Sequence, residues 1–151
     1  MSAKPILVVG LGASGASALR HLSRSGATLV ATDSRAAPPN LDALHAQFPD
    51  VEFRVGGFSA PAPLSQFAEA IVSPGVSPDD PFIKELRAAG VPVVGDIELF
   101  ARAAKAPVIG ITGSNGKSTV TTLVGEMARA AGIRAAVGGN LGTPALDLLA
   151  D

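Results

Sequence analysis

Cysteine, tryptophan and tyrosine are all absent from this sequence of 151 residues. Without cysteine there is no disulfide framework, no thiolate metal site and no thiol nucleophile. An excess of one charge is also missing. Twelve Lys and Arg stand against thirteen Asp and Glu, a net charge of −1, which leaves no electrostatic footprint for nucleic acid or an anionic lipid surface. No run approaches the roughly 18 apolar residues that span a bilayer. Lys4, the apolar stretch from Ile6 and Ala16-Ser17-Ala18 together mimic a secretory signal. Gly10, Gly12 and Gly15 interrupt that stretch at a spacing with its own mechanical meaning, so the expectation is a cytoplasmic chain with no membrane insertion.

What is present describes a folded domain. Hydrophobic residues make up 47% and charged residues 17%, enough for a core and against disorder. Seventeen glycines and twelve prolines, with no G-X-Y period, point to many tight turns.

Short apolar runs alternate with helical patterns. Pro5 to Val9 is a continuous apolar run rich in β-branched residues, as expected of a strand buried on both faces. Ala16, Leu19 and Leu22 share one face of a helix over 13–25 that Gly26 closes. Strands follow at 28–32, ending at Asp33, then at 51–55, 69–73 and 91–94, with helices at 41–48 and 81–89 between them. Asn40 and Asp80 are the expected caps, and Pro81 suits a first helical position. After Gly95 the pattern restarts with a helix over 96–104 that Asp96 caps, a strand over 107–111, a long helix over 117–131, a possible strand over 134–137 and a final helix from Thr143. Strands joined by helical crossovers predict an α/β fold with parallel sheets and right-handed connections. The expected boundary lies near Gly95.

Two glycine loops carry the chemistry. Gly10-Leu11-Gly12-Ala13-Ser14-Gly15 fits G-x-G-x-x-G between a strand and a helix. Gly10 allows the turn, Gly12 lets backbone approach a phosphate, and Gly15 lets helix pack close to strand. Asp33 stands where an acid meets a ribose or base, and Arg35 is placed for a phosphate. The plainer reading is a glycine turn needed only for packing. Ser73-Pro74-Gly75 ends a strand, at the sheet edge where such folds bind ligands; equally, Pro-Gly makes a turn of its own accord. The second loop, Gly110 to Thr119, again joins a strand to a helix. Amides of Gly113, Ser114, Asn115, Gly116 and Lys117 suit phosphate oxygens, the Lys117 ammonium suits the terminal phosphates, and Ser118 suits Mg²⁺. Ile111 stands where a P-loop ordinarily has its first glycine, so this loop is a variant. Gly138-Gly139-Asn140 offers either a close backbone approach with Asn140 on a substrate oxygen, or only a turn. His21 and His45 have no partner at metal or triad spacing and are expected to be solvated. Neither Ser14 nor Ser118 has a His–Asp arrangement.

Together these segments resemble the Mur ligases of peptidoglycan synthesis, and among them the D-glutamate-adding branch. The likeness rests on Gly10 to Ser17, Asp33-Ser34-Arg35, Ser73-Pro74-Gly75-Val76, Gly95-Asp96-Ile97-Glu98-Leu99-Phe100, Ile111 to Glu126 and Gly138 to Ala145. The resemblance implies a Rossmann-like domain over 1–95, followed by the start of a P-loop ATPase domain over 96–151. It implies an ATP-dependent, amide-forming ligase whose substrates are UDP-N-acetylmuramoyl-L-alanine and D-glutamate. In the family, ATP phosphorylates the substrate carboxylate and the incoming amine displaces phosphate. Gly12, Ala13, Ser14, Asp33, Ser34, Arg35, Ser73 and Gly75 then become UDP contacts, and Asn140 faces the muramoyl portion. Gly113 to Thr119 hold ATP, Lys117 is the catalytic clamp, and Ser118, with Thr119 as a possible second, serves Mg²⁺. The family continues past the point where this sequence stops, through further ATPase and amino-acid-binding parts, so the expectation is an N-terminal portion that does not turn over alone, from an enzyme that is a monomer when whole. Two other readings stand beside it: a UDP-substrate-binding module without catalysis, and an NAD(P)-dependent oxidoreductase domain built on Gly10 to Gly15 and Asp33.

Overall fold

The computed structural model describes residues 4–140 and 142–150, with nothing described for the side chain of residue 150. The outermost positions of the expected 1–95 and 96–151 units, and residue 141 within the stretch from Gly138 to Ala145, lie outside the described residues.

Five parallel strands form one sheet: β1 (Ile6–Val9), β2 (Leu29–Asp33), β3 (Glu52–Val55), β4 (Glu69–Val72) and β5 (Val93–Gly95), in the order β3-β2-β1-β4-β5. The crossovers are α1 (Ala13–Ser23) between β1 and β2, α2 (Leu41–Gln47) between β2 and β3, and α3 (Pro81–Ala88) between β4 and β5. A 3-10 turn, Leu64–Gln66, lies before β4. The chain winds one way from β1 to β3, then returns to the other side of β1. Register keeps the carboxyl ends flush, with Val9 beside Thr32 and Val72, and Val72 beside Gly95.

The unbroken apolar run of β1 follows from burial on both faces. Successive side chains alternate between faces. Val8 joins Leu19, Ile71 and Leu99 in one core cluster, whereas Leu7 and Val9 join Ala70, Ile83 and Leu86 in the other.

Caps follow local chemistry. Asp80 Oδ1 accepts from the Phe82 amide at 2.9 Å, with Pro81 opening α3 as expected. Asn40 differs: it precedes α2 in the left-handed region, φ 59°, and its side chain caps nothing, using the tolerance of asparagine for that conformation. Gly95 caps α4 (Asp96–Ala103), and Asp96 is the first helical residue, its carboxylate accepting from the Ile97 amide at 3.0 Å.

Beyond β5 the outcome departs from expectation. The runs 107–111 and 134–137 have strand composition but are not strands, and no second sheet is assembled among the described residues. A strand needs a neighbour to satisfy its amides and carbonyls; here Val108 and Ile109 are 58% and 73% exposed. The long helix forms as α5 (Lys117–Ala130), while the final segment, Ala145–Ala150, is 3-10 rather than α-helical. That segment and α4 pack back on α1, placing Leu99 and Leu146 in the same cluster as Leu19.

Candidate nucleotide crevice and second glycine loop

The winding reverses between β1 and β4, and a crevice opens at their carboxyl ends, where open α/β sheets bind ligands. The first glycine loop is shaped by close approach. Gly10 has φ +90°, and a Cβ on Gly15 would fall 1.8 Å from the Gly10 carbonyl oxygen. A Cβ on Gly12 would meet nothing within 4 Å. Gly15 is thus the packing glycine, while Gly12 faces open space.

Two neighbours hold this loop. Ser73 Oγ donates to the Gly10 carbonyl at 2.8 Å. From the other side, the Asp33 carboxylate, 3% exposed, accepts from the Leu11 amide at 2.6 Å and from the Arg35 amide at 2.8 Å. It also takes both ends of the Arg35 fork, Nε at 2.9 Å and Nη2 at 2.7 Å. The Arg35 side-chain bonds are the main reason its pKa falls to about 2; burial opposes them, and the Leu11 and Arg35 amides add to them. Arg35 itself remains half exposed.

The crevice has a volume of about 510 Å³. Gly12, Ala13 and Ser14 form its floor at the start of α1, Asp33, Ser34 and Arg35 one wall, and Ser73 with Gly75 the other. Eight positions scattered over more than sixty residues of sequence thus meet in one place. Asn140 is not among the lining residues; it is exposed in the turn after α5. Sequence reasoning missed Phe58, Ser77 and a lining role for Asp80. Phe58 stacks on Phe82, with centroids 5.9 Å apart. It follows Gly56 and Gly57, with φ of +84° and +146°, so the Gly-Gly pair just past β3 was the available signal. The loop is laced to β2 by Ser59 N donating to Thr32 Oγ1, and to the turn after β2 by Gly56 N donating to Arg35 O. Both histidines lack metal partners: the described residues hold no group of three His, Cys, Asp or Glu placed for a metal. His45 instead packs on Phe53, with centroids 4.4 Å apart.

The second loop is exposed from Thr112 to Val120. Gly116, φ +74°, caps α5, and Gly113 has φ +152°. The Lys117 ammonium folds back to donate to the Gly113 carbonyl. The first intrahelical acceptor of α5 is Gly116 O, taken by Val120 N, so the amides of Lys117, Ser118 and Thr119 have no intrahelical partner. A left-handed glycine cap, free first-turn amides, an ammonium and the Ser118 and Thr119 hydroxyls together suit a polyphosphate. One hydroxyl is a sufficient protein share for Mg²⁺, which keeps waters and takes phosphate oxygens.

No helix of the described residues is long and apolar enough to cross a membrane. The profile described as "Mur ligase MurD-like, N-terminal domain" matches residues 4–95. UDP-N-acetylmuramoylalanine--D-glutamate ligase of Pseudomonas aeruginosa is 58% identical over 96% of this chain and 32% of its own length. The enzyme of the same name from Marinobacter nauticus is 55% identical over 99% of this chain and 33% of its own. The chain thus spans about a third of these relatives. A pseudomurein peptide ligase type C from Methanothermus fervidus superposes with a TM-score of 0.55 at 21% identity, covering 86% of this chain and 27% of that one, a likeness of fold. The match over 4–95 falls on the five-stranded sheet and its crevice, and the chain belongs to the MurD-like Mur ligases.

Proposed function

We propose that this chain is the amino-terminal part of an ATP-dependent ligase that joins D-glutamate to UDP-N-acetylmuramoyl-L-alanine in the cytoplasm. The observation that carries it is the crevice at the β1/β4 switch, where a helix N-terminus, Arg35 and Ser73 converge. In this reading residues 1–95 are the UDP-substrate domain. The start of α1, with Gly12, Ala13 and Ser14, receives the diphosphate; amides and helix dipole favour an anion there. Ser34, Arg35, Ser73 and Gly75 bound the nucleotide on either side. Asp33 contributes by holding Arg35 and the Leu11 amide in place. Residues 96–151 begin the P-loop ATPase domain. Gly113, Ser114, Asn115, Gly116, Lys117, Ser118 and Thr119 would hold the ATP phosphates, with Ser118 on Mg²⁺ and Asn140 toward the muramoyl portion. Bound ATP supplies the phosphoryl group that activates the substrate carboxylate. Lys117 neutralises charge at that position, so its contribution is electrostatic and positional. The whole enzyme acts as a monomer, and this chain alone does not turn over.

Asp33 also speaks against an oxidoreductase. An acid that reads a ribose needs free lone pairs, and this carboxylate already accepts four donors. Titration with UDP, followed by amide shifts at Gly12, Ser34 and Gly75, tests the assignment. Saturating shifts there and none with NADH are expected; silence at millimolar UDP overturns it.

A further inference from the structure

The helix bearing the second glycine loop reaches the sheet body through a short series of close contacts. Gly125, buried in the middle of α5, lies against Val137: a Cβ there would come within 2.5 Å of Val137 Cγ2. The next residue, Gly138, is pressed between the Thr143 carbonyl and Leu148, which a Cβ would meet at 2.5 and 2.8 Å. Gly139 N donates to Thr143 O at 2.8 Å, closing the turn. The segment Ala145–Ala150 then docks on α1 and α4. Leu146 is 1% exposed and shares the cluster of Leu19 and Leu99. Beside it, Asp147 takes the planar fork of Arg20, Nε at 3.0 Å and Nη2 at 2.6 Å, across 127 residues of sequence. The two side chains are 31% and 24% exposed, a partly desolvated setting in which a two-bond Arg–carboxylate pair fixes orientation as well as distance.

We propose that Arg20 and Asp147 form a latch that seats Ala145–Ala150 on α1, and through the contacts of Gly138 and Gly139 with Thr143 sets where α5 and its glycine loop stand relative to the crevice. Both loops are thereby referred to one helix. The first turn of α1 floors the crevice, and Arg20, two turns later, anchors the return from α5. Arg20 and Asp147 are positioning residues, since neither reaches a ligand-facing surface of either loop. The use made of the latch rests on the ligase reading, but its geometry does not.

The native absence of cysteine permits site-specific spin labelling at two exposed positions, Ala43→Cys on α2 and Ala130→Cys at the end of α5. Pulsed electron paramagnetic resonance on the full chain is expected to give one narrow distance. Arg20→Met or Asp147→Asn should broaden it and speed hydrogen exchange at amides 145–150 by tenfold or more. The charge swap R20D/D147R should narrow the distribution again, whereas a purely local stabilising role would change exchange at 145–150 without moving the distance to α5. A broad distribution in the parent, or an unchanged one in both single variants, overturns the latch. If a single variant fails to fold, the swap alone decides: recovery of the narrow distance supports the latch and failure overturns it. UDP titration of the same samples reports on the crevice separately, so loss of the nucleotide reading and loss of the latch are distinguishable.

Discussion

Ser73 donates its only hydroxyl hydrogen to the carbonyl of Gly10 at 2.8 Å, tying the carboxyl ends of β4 and β1 together at the point where the winding reverses. The same carbonyl is the atom that a Gly15 side chain would strike. One oxygen therefore explains two sequence features, a serine after β4 and a glycine in α1. It also sets the polarity of the crevice: with its hydrogen committed, Ser73 meets a ligand as an acceptor.

Substituting the two glycines should separate packing from binding. Gly15→Ala forces the loop off α1 and should destabilise by about 1–3 kcal/mol or more, as overpacking does. Gly12→Ala should melt within about 0.5 kcal/mol of the parent, as expected where a substitution meets no neighbour, yet bind UDP at least tenfold more weakly. Thermal melts and UDP titrations of the pair check this.

Ser73→Ala leaves the Gly10 carbonyl without its partner. A loss of about 1 kcal/mol is expected for one such bond, which at this chain length lowers the melting temperature by roughly 2–4 °C. Ser73→Thr keeps the hydroxyl and should recover most of it.

Asp33 predicts an acid limb. Its folded pKa, about 2, lies below the ordinary 3.8. The stabilisation is therefore complete above pH 3.8 and is lost as pH falls toward 2, up to about 2 kcal/mol in all. Asp33→Asn should be less stable at pH 7 and show a flatter decline between pH 4 and pH 2 in urea titrations.

Lys117→Ala should leave the melting temperature unchanged, because the side chain is exposed and, among the described residues, bonds only to the loop carbonyl of Gly113. Binding of an ATP analogue, measured by calorimetry, should fall at least tenfold. A large loss of stability instead would assign Lys117 to the fold.

On α5, Val120, Leu123 and Met127 are 47%, 55% and 70% exposed, and Ile109 is 73% exposed. An apolar surface of this kind favours association. Met127→Lys should reduce concentration-dependent self-association in sedimentation runs without altering UDP binding.

The sheet was legible because apolar runs rich in β-branched residues, such as Ile6 to Val9 and Ala70 to Val72, end at Gly or Pro punctuation, and five such runs find partners. The runs at 107–111 and 134–137 carry the same local pattern, yet pairing is a property of neighbours, which composition does not reveal. Most of the crevice was legible too, since glycine spacing and strand ends fix where Gly12, Asp33 and Ser73 must lie. Phe58 was not, because its loop is placed by the Thr32 hydroxyl and the Arg35 carbonyl, contacts distant in sequence. Nor could periodicity reveal that Leu146 returns to pack near Leu19.

Flush alignment of the five carboxyl ends has a practical corollary. The crevice-lining groups at Gly12, Asp33 and Ser73 sit on one rim of the sheet, and Lys4 reaches across to the Ser65 carbonyl at 3.0 Å on the opposite one. Tags, surface tethers or fused reporters attached there would leave the crevice free, giving a natural handle for immobilised screening.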